Sequence, residues 1–199
     1  MTKRVQISLG LRDQIAEEAA RLIRDHGIQD YGFAKRKAAA RFGVANAGAL
    51  PSNTEVEARV LERQRIFEGD EHLTELRQIA VGLMGLLDGF SPRLAGPVLT
   101  GAATINSGIE LHLFTDCPED VFVVLERERF PVRNCQRRYR YHGHGTVIVP
   151  GFRFAARGAD IYALTFPENG LRQAPMSPID GRPMRRADRA KVLALLETS

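Results

Sequence analysis

Apolar residues recur at helical spacing through the first half of the chain and at alternate positions through much of the second. Over Leu11–His26, the residues Ile15, Ala19, Leu22 and Ile23 share one helical face, and Gly27 ends the run. Tyr31–Phe42 predicts a second, basic helix closed by Gly43, and Ala45–Pro51 a small-residue loop. Ser52 or Asn53 can cap a third helix, with Glu55 in its first turn and Val56, Val60, Leu61, Ile66 and Phe67 along its length until Gly69-Asp70 interrupts it. Leu73–Leu87 predicts a fourth, with Leu76, Ile79, Ala80, Leu83, Met84 and Leu87 on one face. Asp88-Gly89 stops it and Pro92 marks a boundary.

Beyond Pro92 the period changes. Val98-Leu99 reads as a strand running into the turn Thr100-Gly101-Ala102-Ala103. In Ile109-Glu110-Leu111-His112-Leu113, the three aliphatics share one face, and Glu110 and His112 lie side by side on the other, an exposed sheet face. Pro118–Arg129 predicts a helix capped by Asp116. Val132–His142 is a strand dense in arginine, and Gly143-His144-Gly145 a turn between His142 and the next strand. Thr146–Pro150, Phe152–Ala156 and Asp160–Phe166 follow as short strands, with Gly158-Ala159 turning the last pair, and Arg189–Leu196 is a final helix. The pattern predicts an α+β fold: a helical N-terminal region over residues 1–90, packed on a small mixed β-sheet domain over 91–199 that ends in a C-terminal strap and helix.

Composition narrows the class. The chain has 199 residues, 44% of them hydrophobic, a globular composition. No apolar run approaches the roughly 20 residues that span a bilayer, and no signal-type apolar core follows the basic N-terminus. A cytoplasmic protein with no membrane partner is expected. Cys117 and Cys135 form no C-x-x-C pair and are expected to be thiols. The net charge of +4 and pI near 9.4 permit anion or nucleic-acid binding. Neither a P-loop nor a G-x-G-x-x-G motif occurs, which argues against P-loop kinases, ATP-dependent peptide ligases and Rossmann oxidoreductases.

The segment Leu99-Thr100-Gly101-Ala102, followed by Ser107-Gly108-Ile109-Glu110-Leu111, resembles the strand–turn–strand motif of the nucleotidyltransferase superfamily, the polymerase-beta-like fold. The resemblance covers Leu94 to about Pro167. Ala102 stands where that family has a serine and Gly108 where it has its first aspartate; Glu110 keeps the second carboxylate. The resemblance implies a third carboxylate on a later strand, matched by Asp160. It also implies a nucleotide triphosphate held with Mg²⁺ at Glu110 and Asp160, and transfer of a nucleotidyl group to an unknown acceptor. The two departures imply an alternative: a catalytically degenerate module of the same fold, associated with RNA or protein.

Other residues extend the candidate site. His112 can serve as base, phosphate contact or ligand. The backbone of Gly101, Ala102 and Thr104, with Ser107, can cradle phosphates. Arg172 or Arg182, from the proline- and arginine-rich strap, can face an anion. Lys35-Arg36-Lys37 and the strand arginines Arg133, Arg137, Arg138 and Arg140 offer faces for nucleic acid, with Tyr139 and Tyr141 interleaved. A solvated arginine face with the tyrosines turned to the core is the competing reading of that strand.

Overall fold

The computed structural model describes residues 2–44, 50–67 and 71–197. The Ala45–Pro51 loop and the Gly69-Asp70 break fall partly or wholly outside them. Two compact units form. One comprises residues 1–69 with the short segments 104–106 and 178–180; the other holds the remainder.

The first unit is helical: α1 (Thr2–His26), α2 (Tyr31–Arg41) and α3 (Asn53–Phe67). Ile15, Ala16, Ala19, Leu22, Ala38, Val56 and Val60 are buried in it. Its helix starts follow from capping chemistry. Asp30 accepts from the Phe33 amide at 2.9 Å at the head of α2. Ser52 and Glu55 form a reciprocal box, Oγ accepting from the Glu55 amide at 3.1 Å and the carboxylate from the Ser52 amide at 2.6 Å.

The second unit is a five-stranded sheet with helices against it. The strands are β1 (Arg93–Ala95), β2 (Ile109–Phe114), β3 (Arg133–Tyr141), β4 (His144–Ala156) and β5 (Ala159–Phe166), in the order β1-β2-β5-β4-β3. Only the β2–β5 pair is parallel; the other ladders are antiparallel. Helices α4 (Glu71–Leu86), α5 (Gly96–Thr100), α6 (Pro118–Arg127) and α7 (Arg189–Glu197) belong to this unit. Leu76, Ile79, Leu83, Met84, Val121, Leu125 and Val192 meet Ile109, Leu111, Leu113, Ile161 and Ala163 in its main core. The helical region expected over 1–90 therefore divides, because the apolar face of α4 is buried on the sheet. Among the described residues no helix is long and apolar enough to cross a membrane.

Two local expectations are corrected. Val98 and Leu99 lie in the helical turn α5, not in a strand. Its last carbonyls are held by a buried arginine: Arg77 donates to Val98 O at 3.2 Å and reaches Leu99 O at 3.5 Å, and Gly101 closes the turn at φ +90°. The stretches 146–150 and 152–156 form one strand, not two.

That long strand shapes the candidate site. Its distal half pairs only with β3; the β4–β5 ladder begins at Gly151↔Leu164. Beyond that point the β3–β4 hairpin peels away and folds back over the sheet. A flat sheet would leave β3 three strand spacings from β2, about 14 Å, yet Tyr139 of β3 touches Glu110 of β2. Under the folded hairpin lies a second small core of Phe114, Tyr139, Val149, Leu164 and Phe166.

Candidate functional site

Every residue of β2 is buried. Ile109, Leu111 and Leu113 face the helices, as alternation predicts, whereas Glu110 and His112 lie under the curled hairpin at 5% and 0% exposure. The expected exposed sheet face is therefore corrected: β3 and the strap cover it.

Three elements converge on these two side chains. From β3, Tyr139 donates its hydroxyl proton to Glu110 Oε1 at 2.7 Å, and the Arg137 guanidinium pairs with Glu110 Oε2. From β2 itself, His112 Nε2 meets Glu110 Oε1 at 2.7 Å. From the strap, Arg186 donates through Nε to His112 Nδ1 at 2.9 Å and through Nη1 to the Gly170 carbonyl at 2.9 Å. The strap is registered by Leu94 and Ala187, which exchange backbone hydrogen bonds of 2.8 and 2.9 Å and so deliver the neighbouring Arg186 to this face. Its guanidinium carbon lies 5.1 and 4.9 Å from the Phe114 and Phe166 ring centroids.

The hydrogen bonds fix the protonation states. Arg186 has only protons to give, so His112 Nδ1 is an acceptor and the imidazole proton sits on Nε2, pointing at Glu110. Burial lowers the His112 pKa and keeps the ring neutral. Burial alone would raise the Glu110 carboxyl; the His112 bond, the Arg137 charge and the Tyr139 hydroxyl overcome it and hold it at about 2. Burial, reinforced by the Glu110 charge, raises Tyr139, which stays a phenol. The cluster thus holds one carboxylate, one neutral imidazole and two guanidiniums.

Asp160 opens β5 on the same face, two residues before Tyr162, the cross-strand partner of Glu110. It is exposed and pairs with Arg153 at 2.9 Å. The two carboxylates thus share a face on neighbouring strands, but each is claimed by a different arginine. For Mg²⁺, which needs free oxygen ligands, the surroundings of Glu110 fit poorly: both of its oxygens accept from protein donors. Among the described residues, no group of three or more His, Cys, Asp or Glu is placed to hold a metal ion.

The remaining predicted residues are scattered. Gly101 caps α5, Ala102 is buried behind it, and Ser107 is half-buried ahead of β2. Thr104 is buried in the helical unit, where its Oγ1 accepts from the Asn106 amide at 3.3 Å. Arg172 and Arg182 are exposed on the strap. Arg186 reaches the site instead, and only the placement of its segment beside β1 distinguishes it from its neighbours. A cleft of about 550 Å³ opens at the carboxyl ends of β2 and β5, walled by Thr115, Tyr141, Val147, Phe166 and Asn169 among others; no lysine or arginine lines it. A triphosphate would find no counter-charge there.

Compared with known proteins, the chain matches no family model, no curated protein and no solved structure.

Proposed function

We propose that this chain is a catalytically silent, nucleotidyltransferase-like module that binds a phosphorylated ligand and transfers no nucleotidyl group. The observation that carries this reading is the state of Glu110. Its carboxylate is buried, and both oxygens are spent on His112, Tyr139 and Arg137. A metal ligand must offer a lone pair to the ion; here the lone pairs orient arginine and phenol instead. Gly108 supports the same reading. A Cβ there would lie 2.9 Å from the Asp160 carbonyl and 2.6 Å from the Tyr162 ring, so the position cannot carry the family's first aspartate without local rearrangement.

The competing reading is a Mg²⁺-dependent transferase acting through Glu110 and Asp160, favoured by their common face on adjacent strands. One assay separates the two. The protein is incubated with each γ-labelled nucleoside triphosphate and Mg²⁺ or Mn²⁺, and release of labelled pyrophosphate is followed. The silent reading expects no release above the protein-free control. Release that disappears in Glu110→Gln and Asp160→Asn would establish the transferase.

A further inference from the structure

Strand register aligns one row of residues across the whole sheet: Ala95, Glu110, Tyr162, Arg153 and Arg133 are successive cross-strand partners from β1 to β3. Partners across a ladder project to the same face, with Cβ atoms roughly 4.5–5.5 Å apart. The row runs from a buried carboxylate, through a half-exposed aromatic ring, to two exposed arginines standing opposite each other. Arg137 crosses onto this row from above: it pairs with Glu110, and its guanidinium carbon lies 4.2 Å from the Tyr162 ring centroid. Arg153 approaches the same ring at 5.6 Å while bonding Asp160.

Two like charges directly opposite each other in a ladder are destabilising. The Arg133 side chain makes no hydrogen bond or ion pair among the described residues that would offset this, although its backbone belongs to the β3–β4 ladder. From Arg129 to Arg157 the sequence holds no Asp or Glu, so the hairpin carries no carboxylate of its own. Arg137 and Arg153 are by contrast held in place, each between a carboxylate and the Tyr162 ring. Two oriented forks and a third free one on one face are suited to a tetrahedral oxyanion.

We infer that Arg137 and Arg153 over the Tyr162 ring, with Arg133 opposite Arg153, form a metal-independent site for a phosphoryl group, either the phosphate of a nucleotide or the backbone of a single-stranded nucleic acid. This rests on the proposed binding function and names its chemistry: guanidinium takes the place of the metal, and the carboxylates orient the arginines.

The test uses the full chain in EDTA, with three probes: inorganic phosphate, ATP, and a labelled single-stranded oligonucleotide. At least one is expected to bind, with affinity falling as salt rises. Binding of ATP alone identifies a nucleotide site; binding of the oligonucleotide alone or more tightly identifies a backbone site. Arg133→Met and Arg153→Met, both at exposed positions, are each expected to weaken that binding about tenfold. Arg138→Met and Arg140→Met, on the opposite face of β3, are expected to leave it unchanged. Without ligand, Arg133→Met is expected to raise the melting temperature, because it removes the repulsion with Arg153. No binding by any probe, binding that needs Mg²⁺, or binding lost in the Arg138 and Arg140 variants but kept in the Arg133 and Arg153 variants would overturn the site. These outcomes are independent of the pyrophosphate assay. Binding that survives in both the Arg133 and Arg153 variants would remove the site and leave the proposed binding function intact, no binding by any probe would remove both, and turnover in the pyrophosphate assay would leave the arginine variants to report on affinity.

Discussion

The ring of Tyr162 fills the volume that a side chain at Gly108 would need: a Cβ there would lie 2.6 Å from its Cε2 and 2.9 Å from the backbone carbonyl of Asp160. A rotamer change can move the ring but not the carbonyl. Gly108→Ala is therefore expected to destabilise the protein by about 1–3 kcal/mol, as overpacking does. Adding Tyr162→Ala should relieve only part of that loss, since the backbone contact remains. Gly108→Asp, which restores the resemblance in sequence, is expected to lower the melting temperature and to confer no Mg²⁺-dependent pyrophosphate release. Thermal melts and that assay check both statements. An active, stable Gly108→Asp protein would show that the missing first carboxylate, and not the occupied oxygens of Glu110, silences the site.

Glu110 and Arg137 are the charged pair in the buried cluster, and removing either one strands the other. Arg137→Met leaves a carboxylate in a nearly water-free site beside a neutral imidazole, and is expected to cost about 3–5 kcal/mol. Glu110→Gln keeps the shape and an acceptor for Tyr139, so its cost should be smaller. The double variant is expected to be more stable than the sum of the two losses predicts, with a coupling of about 1–3 kcal/mol. Urea unfolding of the four proteins measures it. Additivity would mean that the pair carries no energetic coupling.

How far the sequence discloses this depends on whether the cause is local. The helices of the first unit follow from spacing and caps, and the Ser52–Glu55 box forms as its residue types predict; the Asp116 cap expected for α6 does not form, because Cys117 stands at the cap and Asp116 accepts from the Glu168 amide instead. The alternation in β2 is correct about which residues share a face, because alternation is a backbone property. It is silent about what covers each face. Glu110 and His112 look solvent-facing in sequence, and become buried because a hairpin more than twenty residues further along, and the strap beyond it, fold over them. Arg186 enters through a backbone pairing of Ala187 with Leu94, for which no pattern exists in the sequence. Tyr139 is legible in one respect: strand alternation admits a core-facing tyrosine among arginines, and its burial agrees with that. Val98-Leu99 misled because a two-residue apolar pair carries no period, and Arg77 and Gly101 decide its conformation from outside it.

The buried imidazole gives a pH dependence with a defined sign. His112 is held below its usual value of 6.5, so below that pH the unfolded chain binds a proton that the folded protein refuses. Stability should fall as pH drops below about 6.5. Glu110 has its pKa depressed from 4.5 to about 2, so its contribution is present above 4.5 and is lost as pH falls through that interval. His112→Gln is expected to flatten the upper part of the curve, between the two usual values, and to weaken the lower part as well, because His112 is one of the groups that hold Glu110 down. Urea midpoints collected across this range in both proteins test it. Parallel curves would show that His112 does not titrate differently in the folded and unfolded states.

The fold-back of the hairpin depends on Gly151, and its replacement should break the site from a distance. A Cβ at 151 would lie 2.4 Å from the Ala163 carbonyl oxygen and 2.8 Å from Leu164 Cα, both backbone atoms of β5. Relief requires β4 to move off β5 where the β4–β5 ladder begins, at the point where the hairpin starts to peel. The cost of Gly151→Ala is expected at the upper end of the overpacking range, about 3 kcal/mol. The displacement should also reach Glu110, since Tyr139 and Arg137 meet it only while the hairpin lies over β2. Near-ultraviolet circular dichroism, which in a chain with no tryptophan and four tyrosines reports largely on tyrosine packing, should lose intensity in the folded variant. The acid sensitivity assigned to His112 should weaken with it, as water reaches the imidazole. A Gly151→Ala protein with unchanged dichroism and an unchanged pH profile would show that the close approach of β4 to β5 does not hold the hairpin in place.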